Sequence, residues 1–301
     1  MAPNKYLDII DLTFGEGKQD ALNDSMLVTF LLQLFITTLM LSVSFKLTVE
    51  DILRTFRKSD LIVRSLLINF LIVPIAALLL TQGLALPKTT AVTLLLASAA
   101  PGAPFAPKLA VIAGGDLASA IGLTFTLSIL AVGITPLMVR LSYAGVEDTL
   151  INTLPIIWSL VFFQLLPLLT GFAIRHKSVR LAKRLLSPVK MLSDILFVAL
   201  LVLVLCQNFD ILFSIGWLSF TAMVLFTVVT LVSGWGLGGS QTRTRKSVTL
   251  TTASRNLGIV LLIAVENFPK MGIEGAVIAF GIVELGITLL VAVYFRWFYS
   301  T

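Results

Sequence analysis

Runs of about twenty apolar residues recur along this chain from residue 26 to its end, each the length a helix needs to cross roughly 30 Å of hydrocarbon. Within lipid, only helices or closed barrels satisfy the backbone internally. Barrel strands alternate apolar and polar residues over short segments, and that alternation is not found. The sequence therefore predicts an all-α polytopic membrane protein. Composition agrees, since only 13% of the 301 residues are charged, against about 25% in an average soluble domain.

Residues 1–25 are polar and mixed in charge, without the basic start and apolar centre of a cleaved signal. They read as an extramembrane tail. Spans are predicted over about 26–46, 61–82, 116–139, 152–174, 190–207, 211–236 and 274–295. Two further segments are interrupted. The first, TTAVTLLLASAAPGAPFAPKLAVIAGGD, holds Pro101, Gly102, Pro104 and Pro107 within seven residues, a run that no continuous helix accepts. It reads as a helix over about 89–100, an unwound link and a half-helix over about 105–114. The second covers about 247–266, where the polar VTLTTASRN precedes LGIVLLIAVENF. Counting each broken segment once gives about nine transmembrane helices.

The linking segments LTVEDILRTFRKSD, RHKSVRLAKRLLSPVK and GGSQTRTRKS read as basic loops, and GWGLGGSQ, with Gly234, Gly236, Gly238 and Gly239, as a flexible exit from the membrane. All three basic loops fall on one side if the amino terminus is outside. The positive-inside rule then makes the carboxyl terminus cytoplasmic in a multi-pass cell-membrane protein, with YAGVEDT and VENFPK outside. The placement of the Lys and Arg residues in these loops accounts for the +6 charge without nucleic acid.

The order of elements also repeats. Residues 26–142 hold four spans, one broken; residues 152–298 hold five, one broken, and the halves start on opposite sides. Corresponding interrupted helices in inverted repeats point to a transporter binding site near the bilayer midplane.

Three ionisable residues lie at membrane depth: Lys108 after the proline link, Arg255 in the second interruption, and Glu284 in AFGIVELGITL. Such groups cost about 3 kcal/mol or more and mark function by default; the alternative for the two cations is snorkelling to a headgroup. The interruptions also present free N–H groups and helix-dipole charge around 103–108 and 253–257. The expected ligand is a small organic anion, held by Lys108, Arg255 and Asn256 beside Pro104 and Pro107. Glu284 is a possible proton site. Asn69, Gln164, Thr124, Thr126 and Ser128 are further polar groups at depth, serving either as pocket lining or as interhelical glue, with the hydroxyls bonded back to their own helix.

The sequence does not read as an enzyme. No nucleophile stands beside a base, and no phosphate-cradling loop appears. The lone Cys206 excludes a cysteine metal cluster and reads as packing filler, and His176 reads as a solvated loop residue. No cofactor is expected.

The motifs MLSVSFKLTVEDI, APGAPFAPKLAVIAGGDLASAIGLT and TTASRNLGIVLLIA resemble the bile acid:sodium symporter family, in an order that fits about residues 26–298. The resemblance implies inverted repeats with two broken crossing helices, a core domain and a panel domain, in the nine-span form that lacks the first helix. It also implies sodium sites, and here the sequence departs from the pattern. The positions equivalent to a hydroxyl residue and Asn are Ala106 and Pro107. A serine position reads as Ala120, while Thr124 is retained. The usual acidic residue aligns with Thr251 and the usual Gln with Arg255, near Ser254, and Asn69 stands for the other amide ligand.

Sodium is a hard cation that prefers oxygen ligands and negative charge. Two like charges about 4 Å apart repel by roughly 4 kcal/mol at an effective dielectric near 20. Sodium is therefore not expected beside Arg255. The favoured expectation is alternating-access transport of an organic anion without sodium, Arg255 and Lys108 supplying the charge that the ion supplies elsewhere. The alternatives are a conventional sodium-coupled symporter and a membrane sensor or structural subunit that has lost transport.

Overall fold

The computed structural model describes residues 27–143, 153–207, 215–268 and 271–299. The expected tail over 1–25 and the loop YAGVEDT from Ala144 onward lie outside them. Among the described residues twelve helices follow in order: α1 Leu27–Ser44, α2 Val49–Phe56, α3 Ser59–Gly83, α4 Lys88–Ala99, α5 Ala106–Ile112, α6 Leu117–Tyr143, α7 Thr153–Lys177, α8 Val179–Gln207, α9 Trp217–Leu237, α10 Thr242–Ala253, α11 Leu257–Asn267 and α12 Ile273–Phe298. Among the described residues, seven segments are long and apolar enough to cross a membrane: α1, α3, α6, α7, α9, the α10–α11 pair and α12. The fold is that of a polytopic helical membrane protein.

Large side chains including Leu79, Trp217, Leu290 and Trp297 point outward, as they must where lipid tails are the solvent. The α10–α11 pair is different. In its most apolar 18 residues 89% are buried, against 39% in the corresponding stretches of α1, α3, α7, α9 and α12. Every residue from Lys246 to Asn256 is buried, although α10 is rich in Thr, Ser, Arg and Lys. A polar helix survives at membrane depth only where protein wraps it. Helix α9 does so most closely: a Cβ on Gly234 would lie 2.7 Å from the Thr249 Cα, so glycine is what permits the contact.

Several linking segments read as loops are helical. LTVEDILRTFRKSD contains α2, whose cap is reciprocal: Thr48 Oγ1 accepts from the Asp51 N–H at 3.1 Å, and Asp51 Oδ2 accepts from the Thr48 N–H at 3.1 Å. RHKSVRLAKRLLSPVK is the end of α7 and the first part of α8, turning at Ser178 alone, and His176 sits in the last turn of α7. GGSQTRTRKS enters α10 at Thr242, while Gly234 and Gly236 are inside α9. The cause is common to all of them. Hydropathy marks where a helix leaves lipid, whereas Lys and Arg are good helix formers that carry it onward. Cys206 is exposed rather than packed.

Two helices contain a π-turn, Ile68–Ile72 in α3 and Leu160–Leu165 in α7. Each is followed within two residues by a proline, Pro74 or Pro167, which has no N–H to give the preceding turn. These wide turns carry Asn69 and Gln164, a placement common at functional sites.

Candidate functional site

The two interruptions differ in origin. Helix α4 ends at Ala99, and α5 begins at Ala106 with Pro107 in its first turn, where a missing N–H costs nothing. Between them, Pro101 and Pro104 cannot donate, and Gly102 has φ +86°. A Cβ at Gly102 would lie 2.6 Å from Ser128 Oγ and 2.8 Å from Ser128 N. Hydroxyls of α6 serve the freed carbonyls: Thr135 Oγ1 donates to Ala99 O at 2.5 Å and Ser128 Oγ to Gly102 O at 3.0 Å.

The second interruption, Ser254–Arg255–Asn256, has neither proline nor glycine. Two of its backbone donors are drawn away from the helix. The Arg255 N–H donates to Glu284 Oε1 at 2.8 Å, and the Asn256 N–H donates to Ala100 O in the first interruption at 2.9 Å. That second bond is the crossing point of the two broken helices. Helix α11 restarts at Leu257, with Asn256 Oδ1 accepting from the Ile259 N–H at 3.4 Å.

A chain of side chains closes a ring around the crossing. Asn256 Nδ2 donates to Gln164 Oε1 at 3.2 Å, Gln164 Nε2 donates to Ser128 O at 2.6 Å, and Ser128 Oγ returns to Gly102 O. Gln164 is thus the bridge from α7 to both interruptions. Of the three α6 hydroxyls expected to bond within their own helix, Thr126 does so, through Gly122 O at 2.8 Å. Ser128 reaches across instead.

Arg255 is 3% exposed and Glu284 5%. The guanidinium donates through Nη2 to Thr252 O, and it acts electrostatically on the Glu284 carboxyl. Asn69 Nδ2 donates to Ser65 O at 2.8 Å and reaches Thr252 Oγ1 at 3.4 Å. Among the described residues, the buried side-chain atoms with no protein partner are Ser65 Oγ, Asn69 Oδ1, Thr124 Oγ1, Thr251 Oγ1, Ser254 Oγ, Arg255 Nε and Nη1, and Glu284 Oε2. Buried polar groups are nearly always paired. Here the exceptions gather on residues that sequence reasoning had singled out, Ser65 apart.

Lys108 is elsewhere. Its ammonium is exposed and stands 5.3 Å from the centroid of the Phe105 ring, itself 41% exposed, so it does not join Arg255 in the interior. Pro104 and Pro107 are half-buried and offer no donor, and Ala106 is fully buried.

Sequence reasoning passed over three polar groupings. Lys246, 3% exposed, donates to Ala113 O, Phe295 O and Tyr299 O at 3.0, 2.9 and 2.9 Å. One ammonium thereby ties the carboxyl ends of α5 and α12, where the helix dipole favours a cation. Glu266 accepts from Ser159 Oγ at 2.5 Å and from Gln33 Nε2 at 3.3 Å, joining α11 to α7 and α1. Asp116, before α6, accepts from Ser119 Oγ at 2.6 Å and Lys58 Nζ at 3.3 Å. Burial pushes its carboxyl upward, but the Ser119 and Lys58 hydrogen bonds outweigh it and hold the group below its usual value. The Thr-x-x-Asp spacing at Thr48 was a legible capping signal for α2; the partners of Lys246 and Glu266 are remote in sequence and left none.

Two interrupted helices meeting inside a polytopic bundle, with polar groups concentrated at the meeting point, are the arrangement in which broken-helix secondary transporters place a binding site. The model described as the Sodium Bile acid symporter family matches residues 33–215. The chain belongs to that family. The P3 protein of Mus musculus is 30% identical over 176 residues, 57% of this chain and 37% of that protein. The P3 protein of Bos taurus is 28% identical over 176 residues, 57% of this chain and 36% of that protein. The chain thus spans little more than a third of the P3 proteins it matches. An "Uncharacterized sodium-dependent transporter YocS" of Bacillus subtilis (strain 168) is 22% identical over 241 residues, 79% of this chain and 74% of that protein. The family match stops before the second interruption, so Arg255 and Glu284 fall outside it.

Proposed function

We propose that this protein is a secondary transporter of an organic anion that works by alternating access without sodium, the Arg255 guanidinium standing at the crossing where the family holds an ion. The observation that carries the reading is the charge count at the crossing. In the family pattern an acidic residue sits at the Thr251 position and needs a cation; here that carboxylate has gone from α10, and one carboxylate, Glu284, enters from α12. Guanidinium and carboxylate then compensate each other within the fold. Adding sodium would leave the buried centre with an uncompensated positive charge, which costs several kcal/mol at this depth.

The fold reading that goes with it has nine passes, counting α4–α5 and α10–α11 once each and including α8. The first repeat covers 26–142 and the second 152–298, with the amino terminus outside. Core helices carrying the crossing rock against a panel made by α1, α7 and α8. The ring through Asn256, Gln164, Ser128 and Gly102 is the hinge contact between them, and Glu284 is the group that would bind a proton if transport is proton-coupled. Lys108 serves the anion from the exposed side of the first interruption rather than the ion site.

The second reading is a sodium-coupled symporter. It is favoured by the unpartnered oxygens of Asn69, Thr124, Thr251, Ser254 and Glu284, a hard-donor set of the kind sodium takes, and by the printed name of the Bacillus relative. Uptake into proteoliposomes separates the two. Carboxylates, sulfonates and bile-type acids are offered with an inward sodium gradient and with choline in its place. Equal uptake of the transported anion supports the first reading; uptake that requires the gradient establishes the second.

A further inference from the structure

Helix α2 joins two spans, α1 and α3, at one end of the bundle. Its residues and their flanks fall into three stripes, each at the three- and four-residue steps that share a helix face. Thr48, Asp51, Thr55 and Lys58 form the first, and it turns towards the protein. Thr55 is buried, and a Cβ on Gly122 of α6 would fall 2.6 Å from the Thr55 Cβ. Thr55 Oγ1 donates to Asp51 O at 2.9 Å and reaches Ala118 O at 3.5 Å. Lys58 Nζ donates to Asp116 Oδ2 at 3.3 Å and to Ser119 Oγ at 3.2 Å. These contacts clip α2 to the beginning of α6. The second stripe is Val49, Leu53 and Phe56, which are 38%, 52% and 51% exposed. Beside it runs the third, Glu50, Arg54 and Arg57, all exposed.

The depth of α2 follows from its neighbours. Helix α12 ends in an exposed aromatic group, Trp297, Phe298 and Tyr299, the kind of belt that marks a membrane–water boundary. Lys246 Nζ binds Tyr299 O at 2.9 Å and Ala113 O at 3.0 Å, so the turn that follows Ala113 and opens α6 lies at the same level. Gly122 and Thr55 meet five residues into α6, about 7 Å further in at the helical rise. Helices that lie in the plane of a membrane bury their apolar face about 5–10 Å into the boundary. At that depth neither exposed stripe of α2 is out of place: full immersion in hydrocarbon would strand Arg54 and Arg57, and open water would leave Val49, Leu53 and Phe56 uncovered.

Charge selects the occupant. Arg54 and Arg57 are three residues apart and neighbours on one face, and a guanidinium takes a phosphate through two parallel hydrogen bonds. Glu50 stands in the first turn, where the helix dipole favours it, about 10 Å along the axis from Arg57. We infer that α2 is an in-plane anchor that binds an anionic phospholipid, its acyl chains against Val49, Leu53 and Phe56 and its phosphate between Arg54 and Arg57. A free phosphate would engage the arginines and leave the apolar stripe uncovered; a lipid satisfies both stripes at once. This goes beyond the transport reading and does not depend on which ion or anion is carried.

Native mass spectrometry of the full chain released from nanodiscs of phosphatidylcholine and phosphatidylglycerol in equal parts identifies the lipids it retains. Phosphatidylglycerol should be retained in preference, and Arg54→Gln with Arg57→Gln should lower that preference by about fivefold for each arginine. Lys190→Gln, at an exposed cation on α8, should leave it unchanged. Thermal unfolding in phosphatidylcholine alone should be the same for all three proteins. Depth is read separately, with nitroxide labels in a chain whose exposed Cys206 is replaced by serine. A label on Leu53→Cys should collide with oxygen dissolved in lipid, and one on Glu50→Cys with a water-soluble nickel chelate. An unchanged lipid preference in the double arginine variant, or equal access of the chelate to both labels, overturns the anchor. Displacement of the retained lipid by inorganic phosphate, with the Leu53 label in water, overturns it in favour of a soluble-phosphate site. Spin coupling between the Leu53 labels of two chains overturns it by placing a second copy on the stripe.

Discussion

The two interruptions reach the same crossing by opposite means. In Ala100–Phe105 the helix cannot continue, because Pro101 and Pro104 lack donors and Gly102 is left-handed. In Ser254–Asn256 the helix could continue, and does not because stronger partners take its donors: Glu284 from α12 and Ala100 from the other break. The first break is covalent and holds with any surroundings. The second is a competition and lasts only while its partners are present. Under the alternating-access proposal, a site that changes state between two sides of a membrane gains from one fixed and one contingent break.

That contrast is broken most severely at the buried pair. Glu284→Ala should destabilise the protein by about 3–5 kcal/mol, because it strands the Arg255 guanidinium. Adding Arg255→Met in the same chain should recover most of the loss, and thermal unfolding of the two single variants and the double variant measures this coupling. Failure of the double variant to recover would mean the two residues act independently.

Next in size is the covalent break. Gly102→Ala forces φ +86° on a residue with a Cβ and drives that Cβ into Ser128, an expected cost of about 1–3 kcal/mol from backbone strain alone. Gln164→Leu removes the bridge between the breaks and leaves Asn256 Nδ2 unpaired. Its cost should be about 1–3 kcal/mol for the stranded amide, with faster exchange at the Asn256 amide in hydrogen–deuterium measurements.

The smallest effect lies outside the crossing. Asp116→Asn should cost about 1 kcal/mol or less, as partly exposed pairs do. Because the folded state holds this carboxyl below its usual value, its contribution is present at neutral pH and is lost as the pH falls through that lowered value. Acid unfolding curves of parent and variant should therefore converge at the acid end and separate above it.

The first interruption was legible in the sequence because proline and glycine write their consequences locally. APGAPFAPK predicted a helix ending near 100 and restarting near 105; the structure places these points at Ala99 and Ala106. The second was legible as a position but not as a mechanism. Arg255 announced itself by its charge, yet that its backbone N–H belongs to Glu284 depends on α12 folding back beside it. Lys108 and Arg255 looked equivalent for the same reason: sequence gives depth along a helix, not which way a side chain faces. The basic linkers were misread because hydropathy locates lipid boundaries rather than helix ends. The Lys246 and Glu266 contacts join segments distant in sequence, so nothing local recorded them.

Whether Arg255 occupies the place of the ion is decided by the thermal stability of the purified protein in sodium chloride and in choline chloride of equal ionic strength. A ligand that binds the folded state raises the unfolding temperature by mass action. The parent protein should unfold at the same temperature in both salts, and Thr251→Glu with Arg255→Gln, which restores the family's acidic and amide positions, should become more stable in sodium. A concentration-dependent rise for the parent protein in sodium alone would mean that sodium binds beside Arg255.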